Sequence, residues 1–456
     1  MKIKTGNFLI FFTKILILAA LLAVFAVGQR YFYVNPDAER FYFRGYVLIL
    51  FIYAVGLYIT SKVYNGFNYG NAGRQELVFS WMMCLLLANG MLYLILSLIY
   101  DALLPVHGII IITVIQTFII VPMTLLADKI YFLSHPSHKA IIIYGKRDKL
   151  HEYGEKISHH RNKFRIMRTI SQDDKTGLLL DSIDEAESVF FLDIDSTKQE
   201  WLLEYCYLHN KYIYILPTFS DILLNTANTL WLANIPAFSL KSPKPDVSMQ
   251  LVKRVIDIAV SLLAIILTSP LMLLISLAIF LYDREAILYK QTRVTVGSKN
   301  FTLLKFRSMT IDAESDGVPR LTAKEDDRVT PIGRFLRKTR LDELPQLFNV
   351  LAGRMSLVGP RPERPEIAKQ YEEQYPNFAF RTKVKAGITG YAQIYGQYNT
   401  APDEKLLLDI MYIESFSILL DFKLLLQTVR VLFMKKSTEG IDDGSITALK
   451  QEKKKG

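Results

Sequence analysis

The sequence predicts a multidomain membrane protein: a four-helix transmembrane bundle, a Rossmann-like α/β cytoplasmic module, then a re-entrant membrane helix leading into an α-rich cytoplasmic domain. Three observations carry this. Four apolar blocks crowd residues 1–130, strand-like runs alternate with polar stretches over 138–240, and a fifth apolar block at 251–283 has positive charge on both sides. Composition agrees: of 456 residues 51% are hydrophobic, with a mean hydropathy of +0.20. That excess sits in a few blocks, which is the pattern of membrane segments.

The spans come first. Runs at 8–27, 46–60, 77–100 and 109–127 each approach the ~20 apolar residues that a crossing helix needs. Aromatic residues flank the second and shortest run and extend it into the interface. The first is read as an anchor, because no small-residue cleavage site follows it and further spans do. Residues 1–130 thus make four transmembrane helices. Lys62 and Arg74 lie between the second and third spans, and Lys129, Lys139, Lys146, Arg147 and Lys149 follow the fourth. The positive-inside rule puts both ends of the block in the cytoplasm, despite Arg30, Arg40 and Arg44 in the first outer loop.

Over 138–240, runs at 139–144, 164–170, 188–194 and 212–216 read as strands with helix-compatible stretches between them. This rhythm predicts a small parallel sheet of Rossmann type. The first strand ends at Tyr144, Gly145 and Lys146 without a G-x-G-x-x-G signature. A folding or dimerisation role is therefore favoured, with a nucleotide site as the alternative. His159 and His160 read as a solvated pair, the seven histidines show no metal-ligand spacing, and Cys84 and Cys206 form no disulfide framework.

Residues 241–250 are a linker by composition. The segment 251–283 follows. Lys253 and Arg254 precede its apolar stretch, and Arg284, Lys290 and Arg293 follow it. Ser269 and Pro270 fall near the middle. A proline there removes one helix hydrogen bond, and the Ser269 hydroxyl is available to the freed backbone group. Positive charge at both ends argues for one membrane face, hence a re-entrant helix broken at Ser269 and Pro270. A kinked fifth span is the alternative; it would place the polar remainder outside.

Residues 284–440 are charged and rich in turns. Within them, 417–434 puts Leu420, Phe422, Leu425, Val429 and Leu432 at near-helical spacing, which suits an interfacial amphipathic helix or a core helix. Residues 441–456 form a basic tail suited to anionic lipid.

The net charge is +10 and the pI near 9.2. Beside membrane blocks, this favours anionic lipid or phosphorylated substrates over nucleic acid, for which no reading motif is present. The strongest local cluster is RLDELPQ at 340–346. A short helix is expected from near Pro345 to Gly353, with Asp342 and Glu343 at or just before its start, where free N–H groups favour phosphate. One carboxylate can attack phosphorus while the other holds a divalent cation. Alone, the pair would read as a helix cap. Yet Arg334, Arg337, Lys338 and Arg340 precede it, and Lys305 and Arg307 lie upstream. Arg361 stands between Pro360 and Pro362, which fix φ and present the guanidinium rigidly. This clustering predicts a diphosphate site. KAGITG at 385–390 is too generic for a phosphate loop, and Asp409 and Asp421 read as salt-bridge partners of the basic cluster.

Residues 250–440 resemble the bacterial sugar transferase domain of polyisoprenyl-phosphate hexose-1-phosphate transferases. The resemblance runs through Lys253, Arg254 and Asp257, Ser269 and Pro270, KFRSM at 305–309, LDELPQ at 341–346, MSLVGPRP at 355–362, GITG at 387–390, and Asp409 with Asp421. In layout the N-terminal parts look like those of the large members that start capsule, exopolysaccharide or O-antigen assembly. The resemblance implies transfer of hexose 1-phosphate from UDP-glucose or UDP-galactose to undecaprenyl phosphate, with release of UMP. Asp342 would be the nucleophile, Glu343 would help bind Mg²⁺, and Lys305 and Arg307 would stabilise charge. Arg361, with Pro360 and Pro362, would bind the donor beside Arg337, Arg340 and Gln346. A homodimer in the bacterial cytoplasmic membrane, with its catalytic domain facing the cytoplasm, is the matching expectation. Many relatives have Lys-Pro-Gly where this chain has Lys385, Ala386 and Gly387, so no site is assigned to that loop.

The rival reading is a non-enzymatic, nucleotide-sensing membrane scaffold of polysaccharide assembly, which has no need of Asp342. A transporter is disfavoured because the four spans hold little intramembrane charge.

Overall fold

The computed structural model describes residues 2–33, 39–158, 163–240, 247–310, 326–396 and 400–432. His159, His160 and the tail 441–456 lie outside the described residues. The chain divides into two compact units, Met1–Leu216 and Pro217–Gly456.

The first unit opens with α1 (Lys2–Tyr33), α2 (Glu39–Val63), α3 (Arg74–Ile99) and α4 (Val106–Ser134). All four contain stretches long and apolar enough to cross a membrane. Phe11, Phe51, Leu94 and Phe118 face outward, where lipid would lie, while Leu21, Leu57, Leu85 and Ile120 are buried. One polar network ties the helices together. Tyr53 donates to Asn89 Oδ1 at 2.9 Å, Asn89 Nδ2 to Gln116 Oε1 at 2.8 Å, and Gln116 Nε2 to the Leu21 carbonyl at 2.9 Å. Lipid cannot satisfy such groups, so they bond to one another inside the bundle.

The α/β part of this unit runs β1 (His138–Tyr144), α5 (Arg147–Ser158), β2 (Phe164–Ser171), α6 (Thr176–Glu185), β3 (Ser188–Leu192), α7 (Ser196–Leu208) and β4 (Tyr212–Ile215). The strands form a parallel sheet in the order β2-β1-β3-β4. Ile141, Ile143, Val189 and Phe191 cover one face, and Ala140, Ile142, Phe190 and Leu192 the other. Burial on both faces explains why these runs are continuously apolar. Ligands of such sheets enter beyond the strand ends where the order reverses. Protein groups span that crevice here: Gln172 and Asp195 exchange two hydrogen bonds of 2.9 Å.

The second unit begins with α8 (Phe219–Asn225) and the hairpin β5 (Asn228–Leu232) and β6 (Ile235–Ser239). This corrects the 138–240 boundary: Ile222 of α8 belongs to the core of the second unit, so the sheet module stops at Leu216. Next comes α9 (Val247–Asp283), which starts within the expected linker, so 247–250 are helical and 241–246 lie outside the described residues. It is one helix through Pro270. Proline costs about 3 kcal/mol in a helix interior, partly by leaving the carbonyl four residues back without its donor. That carbonyl belongs to Ile266, and Ser269 Oγ donates to it at 2.8 Å. One neutral hydrogen bond returns about 1 kcal/mol.

The hairpin β7 (Leu288–Thr295) and β8 (Lys299–Phe306) follows, then α10 (Pro331–Thr339), α11 (Gln346–Leu351) and β9 (Ser356–Val358). The rest is α12 (Pro365–Gln374), β10 (Gly387–Thr389), α13 (Tyr391–Tyr395), α14 (Pro402–Glu414) and α15 (Ile418–Leu432). Leu303, Val350, Met355, Leu357, Tyr412 and Leu424 meet in one core. In α15, Leu424 and Gln427 are fully buried, whereas Leu419 and Phe422 are exposed. Its inner face is a core face, and its outer face remains apolar.

Candidate active site

The site is built where α10 ends. The chain breaks out of α10 at Arg340, which takes the left-handed conformation at φ 56°. A 3-10 turn, Leu341–Glu343, then carries both carboxylates before Pro345 opens α11. Arg340 therefore lies outside the helix that carries Arg334 and Arg337. Arg334 and Lys338 are exposed, and Arg337 is half-buried.

α11 is pinned from two sides. Asn349 behaves like a strand residue against β8: its Oδ1 accepts from Leu304 N at 3.0 Å and its Nδ2 donates to Thr302 O at 2.7 Å. Arg254 of α9 donates to the carbonyls of Val350 and Leu351 at 2.6 and 2.7 Å, where the negative helix end favours a cation. These bonds bring Lys305 of β8 to the carboxylates. Its Nζ lies 3.0 Å from Glu343 Oε1 and 3.9 Å from Asp342 Oδ2. Arg361 Nη2 donates to the same Glu343 oxygen at 2.8 Å.

Asp342 and Glu343 are neighbours with opposite electrostatics. Burial raises the Asp342 carboxyl, Lys305 offsets part of that, and Glu343 adds repulsion; the outcome is a raised pKa. Burial would raise Glu343 too, but Arg361, Lys305 and Arg340 together hold it well below the usual carboxylate range. Two titratable groups pushed apart by their surroundings mark an acid–base or nucleophilic site. Lys305, Arg337 and Arg361 act on Asp342, and Arg361, Lys305 and Arg340 on Glu343, so both carboxylates lie among cations. Gln346 is buried at the start of α11. Arg307 sits apart from this group: its Nη2 pairs with Asp283 at the end of α9, and its Nε and Nη1 are buried without a partner among the described residues.

The Pro360–Pro362 loop is held by close backbone approach. A Cβ on Gly359 would lie 2.3 Å from Lys385 O, and one on Gly387 2.1 Å from Gly359 N. GITG is thus a packing partner of the Pro-Arg-Pro loop. Asp409 and Asp421 lie behind it. Asp409 accepts from Arg381 Nε at 2.6 Å. Asp421 pairs with Lys253 of α9, and Tyr412 OH lies 2.8 Å from Asp421 Oδ1. Sequence reasoning gave no site role to Arg381, Glu363, Arg293 or Asn349, each of which has a partner remote in the chain.

Glu343 is the carboxylate that could hold Mg²⁺. Both cationic contacts of Glu343 fall on Oε1, Oε2 takes part in neither, and the ionised form is favoured. Among the described residues no cluster of three or more His, Cys, Asp or Glu side chains forms a closed metal site. Magnesium commonly uses one or two carboxylates and completes its shell with phosphate and water.

The profile of the family described as Bacterial sugar transferase matches residues 248–435. Over 192 residues the chain is 40% identical to a UDP-glucose:undecaprenyl-phosphate glucose-1-phosphate transferase of Caulobacter vibrioides, covering 41% of this chain and 72% of that one. The chain belongs to the bacterial sugar transferase family. It is 41% identical over 208 residues to a protein of Klebsiella pneumoniae with that same printed activity, covering 44% of each chain. It is also 35% identical over 243 residues to a UDP-N-acetylgalactosamine-undecaprenyl-phosphate N-acetylgalactosaminephosphotransferase of Aeromonas hydrophila, covering 52% of this chain and 56% of that one. The chain thus matches about half the length of these two family members. The matched region contains α9 and the whole carboxylate and cation cluster.

Proposed function

We propose that this family member transfers hexose 1-phosphate from a UDP-hexose, UDP-glucose or UDP-galactose, to undecaprenyl phosphate, giving the lipid diphosphate sugar and UMP. The observation that carries the reading is the buried Asp342–Glu343 pair, its acidities driven in opposite directions within a ring of cations. The matched relatives named above act on UDP-sugars and undecaprenyl phosphate by name.

In this mechanism Arg361, Arg337 and Arg340 neutralise the donor diphosphate. An ionised Asp342 oxygen attacks the sugar-bearing phosphorus, and the bond from that phosphorus to the bridging oxygen breaks. UMP leaves with the electron pair, and a sugar-phosphoryl aspartate remains. A phosphate oxygen of the lipid then attacks the same phosphorus and frees Asp342. Lys305 stands between the two carboxylates and balances charge on Asp342 as it cycles. Glu343 would hold magnesium, which would supply further charge neutralisation. Phosphoryl transfer depends chiefly on such positioning and charge neutralisation.

We further read α9 as re-entrant, with the catalytic unit on the cytoplasmic side. Both halves of the helix are fastened to the same unit: Lys253, Arg254 and Asp257 at one end, Asp283 through Arg307 at the other. Cysteine labelling from each membrane side, at positions 250 and 284, tests this; labelling from opposite sides would make α9 a span. The homodimer belongs to the same reading and is tested by light scattering of the purified protein.

The activity test is UMP release by purified protein given undecaprenyl phosphate, Mg²⁺ and a panel of UDP-sugars. Release with one sugar supports the reading and names the donor. Silence across the panel moves weight to the scaffold.

A further inference from the structure

Four successive carbonyls of the Pro-Arg-Pro loop each receive a donor from a different place. Pro360 O accepts from Gly387 N at 2.9 Å and Glu363 O from Val294 N at 3.0 Å. Between them, Arg361 O accepts from Arg381 Nη2 at 3.0 Å and Pro362 O from Arg293 Nη1 at 3.1 Å. Two consecutive peptide oxygens are thus held by side chains instead of a sheet or helix ladder. Both guanidiniums are enclosed. Arg381 is 6% exposed and pairs with Asp409, which is 1% exposed. The two oxygens of Glu363 lie 3.9 Å from Arg381 Nη1 and 3.9 Å from Arg293 Nη1, bridging the two arginines from below.

Burying charged groups costs several kcal/mol each unless they are paired and hydrogen-bonded. A neutral core would hold this loop at lower cost, so the charged arrangement points to a geometric requirement. What it fixes is the backbone from which the Arg361 side chain reaches forward to Glu343.

We propose that Arg381, oriented by Asp409, is a positioning residue for Arg361, and that Arg293 acts on the loop in the same way at the next carbonyl. Arg381 is buried against Asp409. It acts by fixing the Arg361 peptide so that the guanidinium meets the carboxylate turn and the donor diphosphate in one orientation, as preorganised sites require. The proposal rests on the reading of Arg361 as a donor ligand.

The test uses full-length protein and Arg381→Lys, which keeps the charge but cannot bond Asp409 and the Arg361 carbonyl as a fork. With the UDP-sugar that the parent turns over, donor KM should rise about tenfold while kcat changes less than about threefold. In an Arg361→Ala background the same substitution should add less than about twofold, because the residue it serves is gone. Hydrogen exchange should quicken in the peptide 357–364 and stay unchanged in β8. Asp409→Asn keeps a hydrogen-bonding oxygen and serves if Arg381→Lys does not fold. Multiplying effects in the double variant, or a KM shift with unchanged exchange at 357–364, would overturn the proposal. A parent silent with every UDP-sugar would fell the functional reading instead, and the exchange measurement would then decide the clamp alone.

Discussion

The front and the back of the Pro-Arg-Pro loop use the same chemistry to opposite ends. At the back, Arg381 pairs with Asp409 at 2.6 Å, and Glu363 lies 3.9 Å from both Arg381 and Arg293. At the front, Lys305 and Arg361 crowd one oxygen of Glu343, while Asp342 is left buried with Lys305 no nearer than 3.9 Å. The back directs its arginines to loop carbonyls and to Asp409, which suits holding a shape. The front drives two adjacent carboxyls in opposite directions among several cations, which suits an incoming diphosphate. A buried carboxyl with a raised pKa costs stability, so it persists where it serves a reaction.

The comparison breaks most sharply at Asp342. Asp342→Asn should lower turnover at least about 10³-fold by removing the nucleophile. It should also stabilise the fold by about 1 kcal/mol, because a buried carboxylate repelled by Glu343 is replaced by a neutral isostere. Thermal unfolding beside UMP release measures both; loss of stability would place Asp342 among the paired groups. Arg361→Ala comes next, with donor KM raised about 10- to 100-fold. The same change removes a main counter-charge of Glu343, whose carboxyl should then titrate higher, visible by infrared difference spectroscopy.

The pH profile sharpens the contrast. Asp342 must be ionised to attack, and its folded pKa is raised. Turnover should therefore fall on acidification sooner than an ordinary carboxylate would allow, while Glu343, held low, stays ionised. The stability sign is opposite: a raised carboxyl favours the folded state when protonated, and that contribution is lost as pH rises through the folded pKa. An acid limb in kcat at the usual carboxylate position would contradict this. The smallest effect is expected far from the loop. Ser269→Ala removes the hydroxyl bond to the Ile266 carbonyl and should cost about 1 kcal/mol, measured by thermal unfolding in lipid nanodiscs; a neutral result would mean that water or backbone adjustment serves that oxygen.

The legible parts of the sequence were those with local patterns. Strands at 164–170 and 188–194 showed as apolar runs between polar stretches and lie within a residue or two of β2 and β3. The four N-terminal spans showed by length alone. The end of the α/β module was misplaced because β5 and β6 continue the apolar rhythm yet pair only with each other, as an antiparallel hairpin in the other unit. The basic run 334–340 was legible as charge, but the left-handed turn that ends α10 at Arg340 was not. Arg381 was invisible, since its partners Asp409 and the Arg361 carbonyl lie 28 and 20 residues away. Only folding brings them together. GITG was too generic to read, because glycine is the same letter whether it cradles a ligand or lets two backbones touch.

The central claim is that Asp342 carries the sugar phosphate between donor and lipid. The direct measurement is peptide mass spectrometry of protein quenched after mixing with the UDP-sugar and Mg²⁺, without lipid acceptor. The account predicts a hexose phosphate adduct on the peptide containing Asp342, with UMP released in equal amount, and no adduct in Asp342→Asn. UMP formed only when lipid is present, with no adduct at any time, would contradict it.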